Sequence, residues 1–118
     1  MAAYLESCYQ NVSVDNWAIS GVTAQNYYTY LKKSAENGNS PLDTDVDIAI
    51  IMMGNNGRNR TMEQNATDFS YIINLFLTNG AKVFFLTPTA AFNTSESFVI
   101  NTYQIMQSTK MAARKCGT

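Results

Sequence analysis

Three short polar turns in this 118-residue chain could meet a developing negative charge: Ser20-Gly21, Gly54-Asn55-Asn56-Gly57 and Thr87-Pro88-Thr89. The first offers a serine hydroxyl and the backbone N–H groups around Gly21. The second offers two carboxamides, from Asn55 and Asn56, between glycines. The third offers the hydroxyls of Thr87 and Thr89. All are uncharged hydrogen-bond donors. A backbone N–H or an asparagine amide aimed in advance at an oxyanion is worth about 3–4 kcal/mol to a transition state. None of these groups titrates near neutral pH, so proton transfer has to come from elsewhere. The chain has no histidine, which leaves Ser20 without an imidazole to activate it. No Gly-x-Ser-x-Gly elbow surrounds it either, so Ser20 reads as a turn or capping residue.

Other chemistry-bearing residues read more simply. Asp43, Asp45 and Asp47 lead into a strand and read as a solvated approach rather than a cation site. Arg58 and Arg60 read as loop residues in water. Tyr27 and Tyr28 share a helix face and read as core, not as a sugar-stacking shelf. Cys8 and Cys116 form no C-x-x-C pair, and two cysteines are no disulfide framework. Without histidine, a typical His-bearing zinc site is excluded. No cofactor is expected.

The totals bound the rest. Hydrophobic residues make up 46% and charged residues 14%, with a net charge of −1. That composition suits one packed domain, not a disordered chain. Lys32-Lys33 and Arg114-Lys115 fall at expected helix ends, where the helix dipole accounts for them, so no nucleic-acid partner is expected. No apolar run reaches the roughly 20 residues of a membrane span. No secretory leader is expected at Met1–Gln10. The compartment is not encoded in any motif.

The three turns must be held by regular elements. Met1 to about Gln10 reads as the tail of a helix. Val12–Ile19 reads as a strand running into Ser20-Gly21. Thr23 can cap a helix whose buried face carries Ala24, Tyr27, Tyr28, Leu31 and Ala35, closed by Asn37-Gly38. Asp47–Met53 is a continuous apolar run, which predicts a parallel strand covered on both faces. Thr61 and Gln64 form a capping-box pattern. The helix after them buries Ala66, Phe69, Ile72, Ile73, Phe76 and Leu77. Lys82–Leu86 reads as another strand and Ser95–Lys115 as the last helix. Strands alternating with helices predict a parallel sheet with right-handed crossovers. Ligands then gather beyond the carboxyl ends of the strands, where all three turns lie.

Asn16-Trp17-Ala18-Ile19-Ser20-Gly21-Val22-Thr23 resembles the second conserved block of the SGNH (GDSL-type) hydrolases, a strand ending in Asn-x-Gly-x-Ser-Gly-x-Thr. Asp47–Asn56 is similar to their third block, an apolar strand running into Gly-x-Asn-Asp. Ala81–Pro88 resembles the next strand, which commonly ends in Thr-Pro. The likeness covers nearly the whole chain in the family's order. It implies an α/β, flavodoxin-like three-layer α/β/α fold and carboxylic ester hydrolysis through an acyl-serine. It further implies that the Gly21 backbone N–H and the Asn56 side-chain amide form the oxyanion hole. Ser20, Gly54, Asn55 and Thr87 would border the substrate.

The chain also departs from the family. Gly57 stands at the fourth Gly-x-Asn-Asp position, and Ala18 stands where glycine is common. The Gly-Asp-Ser block that carries the nucleophile is absent, as is the Asp-x-x-His block. The resemblance therefore implies half of an ester-hydrolase site. It also implies a missing first strand, with the gap closed by rearrangement or filled by a second copy or another chain. Two other readings stand beside this one. One is a non-catalytic α/β binding or assembly module. The other is a flavodoxin-like phosphate or nucleotide binder, for which no Walker or dinucleotide pattern is present.

Overall fold

The computed structural model of the chain describes residues 2–9, 11–38, 40–43, 45–54, 60–87 and 96–117. Four α-helices and two strands are seen there: α1 (Ala2–Cys8), α2 (Ala24–Glu36), β1 (Ile48–Met52), α3 (Met62–Thr78), β2 (Lys82–Leu86) and α4 (Glu96–Lys115). A short 3-10 turn at Pro41–Asp43 separates α2 from β1. The protein is thus mixed α/β with a small parallel sheet.

Local chemistry accounts for the helix starts. The Thr23 hydroxyl accepts from the Asn26 N–H at 3.2 Å and opens α2. Thr61 and Gln64 form the expected reciprocal box at the start of α3. The Gln64 N–H donates to Thr61 Oγ1 at 3.1 Å, and the Thr61 N–H donates to Gln64 Oε1 at 3.0 Å. Two otherwise orphaned donors are satisfied in this way.

β1 and β2 pair in parallel, with Ile48 opposite Lys82 and Met52 opposite Leu86. α3 makes the crossover between them. α3 and α4 run in the same direction. The Ser108 hydroxyl donates to the Met62 carbonyl at 2.9 Å, and the Cys116 thiol points at the Ser70 carbonyl at 3.7 Å, both across 46 residues. α2 is also parallel to α3. The Tyr28 and Tyr71 rings meet at 5.3 Å, and beyond the ends of the two helices the Asn79 amide donates to the Leu42 carbonyl.

The core gathers Tyr27 and Leu31 from α2, Phe69, Ile72, Ile73 and Phe76 from α3, and Ile105 and Ala112 from α4. They enclose Ala49, Ile51 and Val83 from one face of the sheet. Of the residues expected on the buried face of α3, only Leu77 is half-buried rather than buried.

Two expectations are corrected. Residues 12–19 have no regular secondary structure and belong to no β-ladder. The Asn16 side chain takes the Ala18 N–H at 3.0 Å, a local bond that competes with ladder pairing. The Trp17 carbonyl is held instead by the Tyr27 hydroxyl at 3.0 Å. Nor is β1 covered on both faces, for its residues alternate between exposed and buried. Ile48, Ile50 and Met52 share an open face with Phe84 and Leu86, and Ile50 is 49% and Phe84 55% exposed. The physical reason is that the core is built from the opposite face, with Ala49, Ile51 and Val83 turned toward α2, α3 and α4.

Candidate functional site

The parallel register puts the carboxyl ends of β1 and β2 side by side, since Met52 faces Leu86. Gly54 follows β1 by two residues, and Thr87 follows β2 directly. α2 runs in the same direction as α3, which begins on that side. The Ser20-Gly21 turn leads into α2 through Thr23. Gly54 and Thr87 thus follow neighbouring strand ends, while the Ser20-Gly21 turn precedes α2, whose Tyr28 packs against Tyr71 in the middle of α3. Asn55 and Asn56, the carboxamides expected at the site, lie outside the described residues, as do Arg58 and Thr89.

The two turn glycines differ. Gly21 is exposed at φ +72°, and a Cβ built there would meet nothing within 4 Å. Its backbone is unobstructed, so the only demand is for a left-handed turn. Gly54 is buried at φ +123°. A Cβ there would sit 2.5 Å from Ile105 Cγ2 and 3.1 Å from Phe69 Cζ. Backbone and packing both require glycine. Ser20 and Thr87 are exposed.

The polar group that sequence reading misplaced is Arg60. It is not simply in water. Its Nε lies 2.6 Å from Asp68 Oδ2, and its Nη2 donates to Oδ1 at 3.3 Å. The shorter contact lies outside hydrogen-bonding geometry, so it is an ion pair, and the longer one is the directed hydrogen bond. Asp68 is buried on the core side of α3 beside Phe69. A carboxylate within an apolar helix face signals that a cation must reach it. That signal was present in the spacing of Asn65, Asp68, Phe69 and Ile72.

Burial pushes the Tyr27 phenol above its ordinary range, and Tyr30 adds to the rise. Tyr27 therefore stays a hydrogen-bond donor, the role it has toward Trp17. Among the described residues no group of three or more Cys, Asp or Glu side chains could hold a metal ion. Nor is any helix there long and apolar enough to cross a membrane. A groove of about 430 Å³ lies between α3 and α4, with Glu63, Thr67, Met111 and Arg114 in its walls. None of Ser20, Gly21, Gly54 or Thr87 lines it.

What Gly21, Ser20 and Thr87 offer chemically is hydrogen-bond donation, and none of the three is a general base. No family model, no curated protein and no solved structure matches this chain.

Proposed function

We propose that this chain supplies the oxyanion-hole half of an SGNH-type carboxylic ester hydrolase. Gly21 and Asn56 hold the acyl oxygen, while the serine nucleophile and the histidine come from polypeptide other than these 118 residues. The observation that carries the reading is Gly54. It stands where the resemblance puts the glycine of Gly-x-Asn, at the carboxyl end of a parallel strand. Its positive φ strains any side chain, and a Cβ there would force Ile105 to shift. Such a turn is where open α/β sheets bind ligands.

The open face of the sheet is where the described fold departs from the arrangement that the resemblance implies. The flavodoxin-like, three-layer arrangement implied by the resemblance has helices on both faces of the sheet. Here α2, α3 and α4 share one core, and Ile48, Ile50, Met52, Phe84 and Leu86 stand on the side that a second helix layer would cover.

The reading is tested by offering the chain p-nitrophenyl acetate. No turnover above buffer is expected, and Ser20→Ala should match the parent chain. Turnover that disappears in Ser20→Ala would place the nucleophile within this chain and overturn the proposal.

The same open face favours a second reading, an assembly module that has kept the fold without the chemistry. Parallel sheets are normally covered on both sides, so a second copy or another chain would complete this one. Size-exclusion chromatography with light scattering separates this reading from a monomer.

A further inference from the structure

We infer that two copies of the chain exchange α1, so that α1 of each copy lies on the open sheet face of the other. The inference rests on the reading that another chain covers this face, and it names that chain and the segment that does so. Two surfaces stand unpartnered. One is the sheet face of Ile48, Ile50, Met52, Phe84 and Leu86, each between 40% and 57% exposed. Lys82, at the corner opposite Ile48, is the one charged residue of β1 and β2. The other is α1. None of its described side chains is buried, Tyr4 is 69% exposed, and Tyr9 just after it is 60% exposed. The hydrogen bonds from the Tyr9 N–H to the Leu5 carbonyl and from the Ser7 hydroxyl to the Tyr4 carbonyl stay within this segment.

A free helix of seven residues is marginal in water, so α1 gains from an apolar surface to rest on. Tyr4, Leu5, Cys8 and Tyr9 give it an uncharged side, since residues three and four apart share a helix face. A helix of this length spans about 10 Å, and the strands span about 17 Å, so α1 fits within the sheet face. It does not cover the sheet of its own copy, for that face is open with α1 in place. The chain is also more extended than its length requires. Its radius of gyration is 15.0 Å, against about 13.5 Å for a compact chain of 118 residues.

Area favours a second copy over a single foreign helix. The five sheet side chains leave about 500 Å² open. One helix seated there buries roughly 800 Å² counting both partners, the size of an adventitious contact. Two reciprocal seats double this to roughly 1,600 Å², the size of a specific interface. A second copy brings one helix and one face to each seat, and both seats close about one two-fold axis. Ordering the segment between α1 and α2 offsets part of the gain. The pair therefore forms in concentrated solution, and the face is open in dilute chain.

The test is sedimentation equilibrium of the full chain between about 1 and about 500 µM. The parent should pass from the mass of one chain to that of two. Leu5→Asp, in α1, and Ile50→Asp, on the sheet, should each weaken the pair by at least about tenfold. An equal mixture of these two variants should associate more tightly than either alone, because one supplies an intact face and the other an intact helix. If Ile50→Asp fails to fold, Phe84→Asp on the neighbouring strand takes its place. A pair that survives Leu5→Asp but not Ile50→Asp, or a mixture no tighter than its components, would overturn the exchange and leave the assembly reading standing. A parent chain that stays single at the highest concentration would overturn the exchange and the second-copy form of that reading together.

Discussion

Gly54 and Ile105 are in such close contact that a methyl group on the first would come within 2.5 Å of Cγ2 of the second. The contact joins the end of β1 to the middle of α4, and it makes the backbone at Gly54 part of the core packing. Gly54→Ala combines a positive φ with overpacking. It should cost about 2–4 kcal/mol in urea unfolding. Gly21→Ala has the left-handed backbone but open space around it, so it should cost only about 1–2 kcal/mol. Ile105→Ala removes the obstructing Cγ2, so the double variant Gly54→Ala/Ile105→Ala should be more stable than the two single losses predict. Strict additivity would show that the contact is not the cause.

The Arg60–Asp68 pair should respond unequally to loss of either partner. Arg60→Met strands a carboxylate that is nearly buried, whereas Asp68→Asn leaves a guanidinium that can turn to water. Unpaired buried charge is the costlier outcome. Arg60→Met should therefore lose about 2–3 kcal/mol and Asp68→Asn about half of that, allowing for the solvent that reaches Arg60. Chemical denaturation of both variants checks the order, and equal losses would contradict it.

The two faces of the sheet should also differ. Phe69→Ala empties a fully buried site and should cost about 3–5 kcal/mol. Phe84→Thr changes the open face and should stay within about 1 kcal/mol. A large loss at Phe84 would mean that this face is covered in solution.

Tyr27 makes stability depend on pH in one direction. Its phenol is held above the ordinary value of 10.0, chiefly by burial, so the folded chain binds that proton more tightly than the unfolded chain. The contribution is complete below pH 10 and is lost as pH rises through the folded-state value. The stability difference between the parent and Tyr27→Phe should be flat up to about pH 10 and shrink above it. Urea midpoints from pH 8 to 11 measure this, and a difference that grew with pH would contradict a raised Tyr27 pKa.

Much of the scaffold was legible because its signals are local. The Thr61/Gln64 box, the spacing of Phe69, Ile72, Ile73 and Phe76, and the run Lys82–Leu86 each specify an element without help from distant residues. The segment 12–19 was misread because a strand is defined by its neighbour. Val12, Val14 and Ile19 have the right composition, but Asn16 gives the backbone a local alternative. β1 was misread for a related reason, since an unbroken apolar run does not reveal whether both faces find cover. At the site, the glycine turns were visible in sequence. The Arg60–Asp68 pair was not, although an acidic residue between Asn65 and Phe69 on an apolar face was its trace.

In the proposed function, Gly21 and Asn56 donate to one acyl oxygen. The most direct measurement is a titration of the ¹⁵N-labelled chain with methylphosphonate, an anion that mimics the tetrahedral oxyanion. The Gly21 backbone N–H and the Asn56 side-chain amide signals should shift together along one binding curve, and Asn56→Ala should abolish the Gly21 shift. Signals that move on separate curves, or a Gly21 shift that survives Asn56→Ala unchanged, would contradict it.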